Sequence, residues 1–165
     1  LASGNLYYEN KDYEKAESVL TEANKISKDY NYIMNLFPIR IHLGVTYTET
    51  ERYSEAVRIY SEYIDEREKA GGEFYIKDVV TGFARIYFKR NQFEEALKLY
   101  AFIDALSEDK KYRSLHSSFR FNDDIRNKIW AEIGEEKFNL IWKEGKGLGL
   151  NEVLYQCKKK LKVES

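Results

Sequence analysis

The sequence is poor in cysteine and proline, and each shortage excludes a class of protein. The only cysteine among its 165 residues is Cys157, so no internal disulfide can form. We therefore expect a reducing compartment, the cytoplasm. The single proline, together with 33% charged residues, favours long helices over an all-β fold. The length suits one domain or one compact array of repeats.

The sequence also lacks a long apolar run and an excess of charge. No stretch approaches the roughly 20 apolar residues that span a bilayer, so no membrane partner is expected. Lysine and arginine number 27 against 28 acidic residues, which argues against direct binding of nucleic acid. The opening LASGN is not a signal peptide and has no initiator methionine, so we expect a piece of a longer chain. The locally basic tail should complement the dipole of a last helical turn; it contains Lys158, Lys159, Lys160 and Lys162.

Motifs that carry chemistry are missing as well. The segment Gly145–Gly149 (GKGLG) lacks the spacing of a phosphate-binding loop and is predicted to be a turn. His42 and His116 are far apart, and neither belongs to an HExxH motif. The acidic pairs Glu94-Glu95 and Glu135-Glu136 suit helix starts better than acid–base catalysis. The sequence therefore predicts no enzyme, no cofactor and no metal site.

A repeat of 40 residues is the strongest pattern that is present. The phrases KDYEKAESVL, RYSEAVRIY and QFEEALKLY begin at Lys11, Arg52 and Gln92. Such a period indicates a solenoid or an array of helical units. Five positions recur at this interval: a small residue (Gly4, Gly44, Ala84), a tyrosine (Tyr7, Tyr47, Tyr87), an aromatic ring (Tyr13, Tyr53, Phe93), an alanine (Ala16, Ala56, Ala96) and a large apolar residue (Leu20, Tyr60, Tyr100).

Each copy is predicted to form two helices separated by a short polar break. Apolar residues at helical spacing lie on both sides of the break Thr50-Glu51-Arg52, and again on both sides of Asn91. The small residues should let two helix backbones approach closely, with the ring at Tyr47 or Tyr87 beside them. Gly71-Gly72 interrupts the array after the second copy, as a turn or as a hinge.

This arrangement resembles the tetratricopeptide repeat over residues 1 to about 106. The small residue, the tyrosine three positions later and the alanine nine after that match its pattern. The resemblance implies an all-α, right-handed superhelix of three helix pairs with a non-catalytic, protein-binding role. Two departures, a period of 40 instead of about 34 residues and no proline near Lys28, Glu68 or Glu108, suggest longer second helices or longer loops.

Residues 107–165 are predicted to form a helical cap that continues the array of residues 1–106 as one structural unit. After a polar connection, Asn122 or Asp123 is expected to cap a helix that carries Ile125, Ile129 and Trp130. A break at Gly134 should follow, and then helices over Glu135–Glu144 and from Leu150 onward, separated by the glycine-rich turn. Trp130 and Trp142 are expected to face inward, so that the cap presents a polar outer face.

The tail resembles the C-terminal end of multidomain bacterial signalling ATPases, some of which carry LuxR-type DNA-binding domains. The repeats, in turn, resemble those of large regulators of the maltotriose-sensing type. Together they imply the end of a larger signalling or transcriptional regulator. The tail departs from the pattern at Gly149 and Val153. The residues that match are Gly134, Glu135, Phe138, Trp142, Gly145, Leu148, Leu150 and Glu152.

The repeat resemblance also implies a concave face lined by the first helix of each copy. A protein or peptide, another domain of the parent chain, or a second copy would bind there; the alternative is a peptide or small-molecule effector. Tyr8, Tyr30 and Tyr32 lie off the apolar stripes and suit protein contact. The face is predicted to contain Asn5, Tyr8, Glu9, Ile41, Val45, Thr48, Glu49, Thr81, Arg85, Phe88 and Lys89.

Overall fold

The computed structural model describes residue 7 and residues 10–70, 75–108, 112 and 121–163. Helices contain 84% of these residues, and none of the described residues lies in a strand, which confirms the all-α class. The described helices are α1 (Tyr13–Asp29), α2 (Ile33–Glu49), α3 (Tyr53–Ala70), α4 (Ile76–Lys89), α5 (Phe93–Leu106), α6 (Asp123–Ile133), α7 (Glu135–Lys146) and α8 (Leu150–Val163).

The 40-residue period is visible in the backbone of the turns. Lys11, Glu51 and Asn91 each adopt a left-handed conformation, with φ angles of 59°, 61° and 58°. After each of them, one N–H closes the turn by donating to a carbonyl five residues earlier, as in the Schellman motif that ends many helices. These bonds are Asp12 to Tyr7 (2.8 Å), Arg52 to Tyr47 (2.8 Å) and Gln92 to Tyr87 (2.9 Å). The polar breaks predicted from the sequence are therefore confirmed.

Long helices account for the long period. Helices α1 and α2 contain 17 residues each and α3 contains 18, whereas α4 and α5 contain 14. The turns at 30–32, 50–52 and 90–92 are only three residues long. Pro38 lies within α2, where it removes one intrahelical bond. The helix continues past it because burial on nearly all sides outweighs the lost bond.

The described helices fall into two compact units, and α1 to α3 belong to the first. Helix α2 packs against both α1 and α3. Ala16 and Ala56, at the repeated small positions, are fully buried, as their register predicts. The side chain that fills the space beside Gly44 is the ring of Tyr60 on α3, whose Cζ would lie 2.5 Å from a Cβ at Gly44.

Helices α4 to α8 form the second unit, so the third helix pair and the tail are compact together. Helix α5 packs against α4 and α7, α6 packs against α5 and α7, and α8 packs against α4. The Asn122 side chain caps α6 by accepting from the Ile125 N–H at 3.0 Å. Gly134, with φ of +80°, separates α6 from α7 as predicted. The right-handed superhelix stays a prediction.

Two expectations for the tail are wrong. Trp130 does not face inward, because 40% of it is exposed, although its ring lies 5.3 Å from that of Phe138. Gly145 does not lie in a turn, because α7 continues to Lys146. There Gly145 lies so close to α5 that a Cβ would clash with the carbonyl oxygen of Lys98. The predicted break at Gly71-Gly72 and His116 lie outside the described residues.

Candidate protein-binding surfaces

Much of the face predicted to bind a partner lies inside the first unit or outside the described residues. Asn5, Tyr8 and Glu9 are not described. Ile41, Val45 and Thr48 of α2 are buried, at no more than 3% exposure. The Thr48 hydroxyl donates to the Gly44 carbonyl at 2.8 Å, which satisfies it inside the helix. Helix α2 is apolar on nearly all sides, and such a helix belongs to a core.

In the second unit, the predicted face is open only toward the end of α4. Thr81 is buried and donates to the Lys77 carbonyl at 2.6 Å. Arg85, Phe88 and Lys89 are half-buried, as Glu49 is at the end of α2 in the first unit.

A cation from the tail lies over the aromatic pair at this end of α4. The Phe88 ring meets the Phe93 ring edge-on, with centroids 5.8 Å apart. Lys128 Nζ of α6 lies 5.4 Å from the Phe88 centroid and 5.7 Å from that of Phe93. Because rings attract a nearby ammonium group, Lys128 covers part of Phe88 and leaves the rest half-buried.

A second surface, which we call the tyrosine ridge, consists of Ile26, Tyr30, Tyr32 and Met34 at the turn between α1 and α2. Their exposed fractions are 47%, 68%, 56% and 57%. The two tyrosine rings stack with centroids 5.9 Å apart and an interplanar angle of 16°. Single exposed apolar residues are ordinary, but four within one turn and its flanking helix ends form a patch of the kind that marks interaction sites.

The backbone at the turn holds the ridge in place. Asn31 is left-handed, with φ of 56°, and the Tyr32 N–H donates to the Ser27 carbonyl at 2.8 Å. Ala16, Leu20 and Ser27 form the buried side of α1, and this leaves Ile26 on the outside. The sequence indicated Tyr30 and Tyr32 as contact residues but missed Ile26 and Met34. The signal for both was available, since neither lies on a repeated position.

Ion pairs join the three helices of the first unit behind these surfaces. The Arg40 side chain on α2 is fully buried and pairs with Glu66 of α3, donating from Nη2 to Oε1 at 2.9 Å. Its Nη2 also lies 3.8 Å from the Glu62 carboxylate. Buried charges of this kind require their partners, because an unpaired charge is costly away from water. The cluster therefore holds α2 to α3.

A second ion-pair cluster lies at the turn between α2 and α3. Arg52 donates to Glu17 of α1 at 2.7 Å and to Glu55 of α3 at 2.9 Å, and its guanidinium lies 4.6 Å from the Tyr47 ring centroid. The bonds to Glu17 and Glu55 raise the pKa of Arg52, and Arg52 lowers the pKa of Glu55. Burial raises the pKa of Tyr47. These charges stabilise the turn and are arranged for structure, with no group held near a neutral pKa.

Five aromatic rings connect the core of the second unit to its surface. Tyr100 lies 4.9 Å from Phe121, which lies 5.2 Å from Trp142. Trp142 in turn stacks with Phe138 at 6.0 Å, and Phe138 contacts Trp130. The rings join α5, α6 and α7 into one hydrophobic cluster. Both tryptophans of the chain belong to this unit, so tryptophan fluorescence reports on it selectively.

The described part of the chain contains no group of three or more histidine, cysteine, aspartate or glutamate side chains placed to hold a metal ion. His42 and Cys157 are both buried, at 3% and 1% exposure. For Cys157 this agrees with its predicted place on the apolar side of a helix. Among the described helices, none has the length and apolar character needed to cross a membrane.

Comparison with known proteins gives one match. A sequence model of the tetratricopeptide repeat family matches residues 1–30, which contain the first copy of the 40-residue repeat. No curated protein and no solved structure matches the chain significantly. The match and the all-helical fold support tetratricopeptide-like repeats, a class that generally mediates protein–protein interaction.

Proposed function

We propose that this chain is a non-catalytic protein-binding module and that the tyrosine ridge contacts the partner. The observation that carries the proposal is the exposure of Ile26, Tyr30, Tyr32 and Met34 at one turn of a tetratricopeptide-like array. The partner is a protein segment that presents apolar side chains, because such a segment is what four exposed apolar residues would desolvate most favourably.

The composition of the ridge suits this role. Tyrosine offers a large contact area at a small entropy cost, and its hydroxyl remains available for a hydrogen bond. Met34 adds a flexible, polarizable side chain that adapts to different surfaces. Tyr30 and Tyr32 already stack on each other, so little ordering of their rings remains for binding to impose.

The exposed remainder of the predicted face is a second proposed contact region. It consists of Arg85, Phe88 and Lys89 on α4 and, in the other unit, Glu49 on α2. Here too we propose protein or peptide as the partner, with no direct contact to nucleic acid. Other domains of a parent chain and a second copy of this chain belong to the same class of partner.

We further propose that the parent protein is a larger cytoplasmic signalling or transcriptional regulator. This rests on the resemblance of the tail and of the repeats described above. The alternative is a sensing domain that binds a peptide or small-molecule effector. A saturable rise in melting temperature with one small ligand would favour that alternative, since a ligand stabilises the folded state it binds.

The test compares the proteins retained from a lysate of the source cells by the immobilised chain and by two variants. Tyr30→Ser/Tyr32→Ser removes both rings of the ridge, and Tyr155→Ser removes a ring of similar exposure, 62%, from α8. Both variants should keep the helical circular dichroism of the wild type. We expect specific partners to be lost with the double variant and kept with Tyr155→Ser. Equal retention by all three would refute the ridge as the contact surface.

A further inference from the structure

Helix α8 is attached to the second unit along one side only. It packs against α4, the first helix of the third repeat. Val153, Leu154 and Cys157 are buried, at 0%, 3% and 1% exposure. Their spacing puts them on one face of the helix, and Tyr155, next to Leu154 in sequence, is 62% exposed.

The described polar bonds on the outer side of α8 stay within the helix. Gln156 Nε2 donates to Glu152 Oε1 at 3.1 Å, and Lys159 Nζ donates to Tyr155 Oη at 3.3 Å. Both bonds join residues four apart, so they would survive if the helix left α4 intact. They support the helix itself and not its docking.

Helix α7 is fixed much more firmly. Three ion pairs join it to α5, and Gly145 lies directly against the α5 backbone. The ion pairs are Lys98–Glu144 at 3.0 Å, Lys137–Glu94 at 2.6 Å and Lys146–Asp104 at 2.8 Å. The two helices of the tail therefore differ in how many interactions must break before each can separate from the rest of the unit.

The connector between α7 and α8 allows such a separation. It consists of Gly147, Leu148 and Gly149. A Cβ built at Gly149 would meet no atom within 4 Å, and one at Gly147 would meet only the Glu144 carbonyl, at 3.5 Å. Open space around two glycines lets the backbone rotate without displacing neighbours.

We propose that α8 is a releasable latch, which leaves α4 while α4 to α7 stay folded and uncovers a helix-binding face on α4. Segments that move for binding are drawn from the least stable parts of a fold. The partner for that face is an amphipathic helix, because α8 shows what fits: apolar residues at i, i+1 and i+4 with a polar opposite side. This deepens the proposed protein-binding function, on which the identity of the partner rests.

The single cysteine makes the latch measurable. Cys157 is buried on the docking side of α8, so a thiol reagent such as DTNB reacts with it only after α8 opens. Tryptophan fluorescence, from Trp130 and Trp142, reports unfolding of α6 and α7 in the same sample. We expect labelling in dilute buffer to be at least about tenfold faster than the fluorescence-detected unfolding allows, with little dependence on denaturant.

Two adjacent substitutions provide a matched comparison. Leu154→Ala removes buried contacts with α4 and should accelerate the labelling by about 30-fold or more. Tyr155→Ala alters the exposed side and should leave the rate within about twofold of the wild type. The latch is refuted if wild-type labelling follows global unfolding in rate and denaturant dependence. It is equally refuted if the wild-type thiol reacts as fast as a free one, or if Leu154→Ala has no effect.

The helix-binding face is tested with a fluorescent peptide of residues Leu150–Val163 carrying Cys157→Ser. It should bind the full-length Leu154→Ala chain saturably and the wild type about tenfold more weakly, because the resident helix competes. Failure to bind either chain would overturn the face on α4. The labelling and peptide experiments need no natural partner, so their failure is distinguishable from failure of the tyrosine ridge in the lysate comparison.

Discussion

Replacing Gly145 by alanine tests the closest helix contact in the second unit. The glycine lies in the last turn of α7, against α5. A Cβ at this position would be 2.7 Å from the Ala101 Cβ and closer still to the Lys98 carbonyl oxygen. Carbon atoms in favourable contact are about 3.5–4.0 Å apart, so the two helices would have to separate by roughly 1 Å.

Two effects of opposite sign decide the result. Glycine to alanine in a helix interior is favourable by about 1 kcal/mol from backbone entropy. Overpacking a close contact costs about 1–3 kcal/mol, and occasionally more. Because the Lys98 carbonyl belongs to the backbone, it cannot rotate away as a side chain would. We therefore expect Gly145→Ala to destabilise the unit by about 2 kcal/mol, which corresponds to a fall in Tm of roughly 8–16 °C.

The assay is thermal and denaturant unfolding followed by tryptophan fluorescence, since Trp142 lies on the same helix. Gly147→Ala is the matched control, because the added methyl meets only the Glu144 carbonyl, at the ordinary distance of 3.5 Å. The control should stay within about 0.5 kcal/mol of the wild type. A Gly145→Ala chain as stable as the control would show that α5 and α7 do not pack through this glycine.

Three further substitutions test other contacts. Gly44→Ala should destabilise the first unit by about 1–2 kcal/mol in denaturant unfolding followed by circular dichroism, because the methyl meets the buried ring of Tyr60; an unchanged midpoint would refute that packing. Glu66→Gln should cost about 2 kcal/mol, less than for a fully buried pair because this carboxylate is 33% exposed. In an Arg40→Met background the same change should cost clearly less, and equal costs in the two backgrounds would contradict the ion pair. Asn122→Ala should cost about 1 kcal/mol by fluorescence, since it removes the cap of α6, and a neutral effect would contradict the cap.

The features predicted correctly from the sequence are those with a local cause. The α6 cap at Asn122, the break at Gly134 and the start of α8 at Leu150 each depend on one or two neighbouring residues. The turns depend on the same kind of signal, repeated every 40 residues. Gly145 was assigned to a turn because glycine is common there, whereas its role depends on α5, which lies more than 40 residues earlier in the chain.

Burial of the predicted binding face could not be derived in this way. Ile41, Val45 and Thr48 occupy positions that a helix pair alone would leave open, and the repeat resemblance therefore assigned them to a partner. In the structure, α2 is buried on nearly all sides within the chain itself. The pattern of one helix predicts how many of its sides are apolar, but not which neighbour covers each side.

The repeat itself separates residues that hold the fold from residues free to bind. Positions that recur every 40 residues are buried in each copy where they are described, as Ala16, Ala56 and Ala96 are, at 0% exposure. The tyrosine ridge does not recur. Forty residues after Ile26, Tyr30 and Tyr32 the sequence has glutamate, alanine and glycine. The first of these, the glutamate that pairs with the buried arginine of α2, has a structural role in its own copy. Because packing between repeats does not require apolar residues at the ridge positions, their exposure in the first copy needs another explanation, and contact with a partner supplies it.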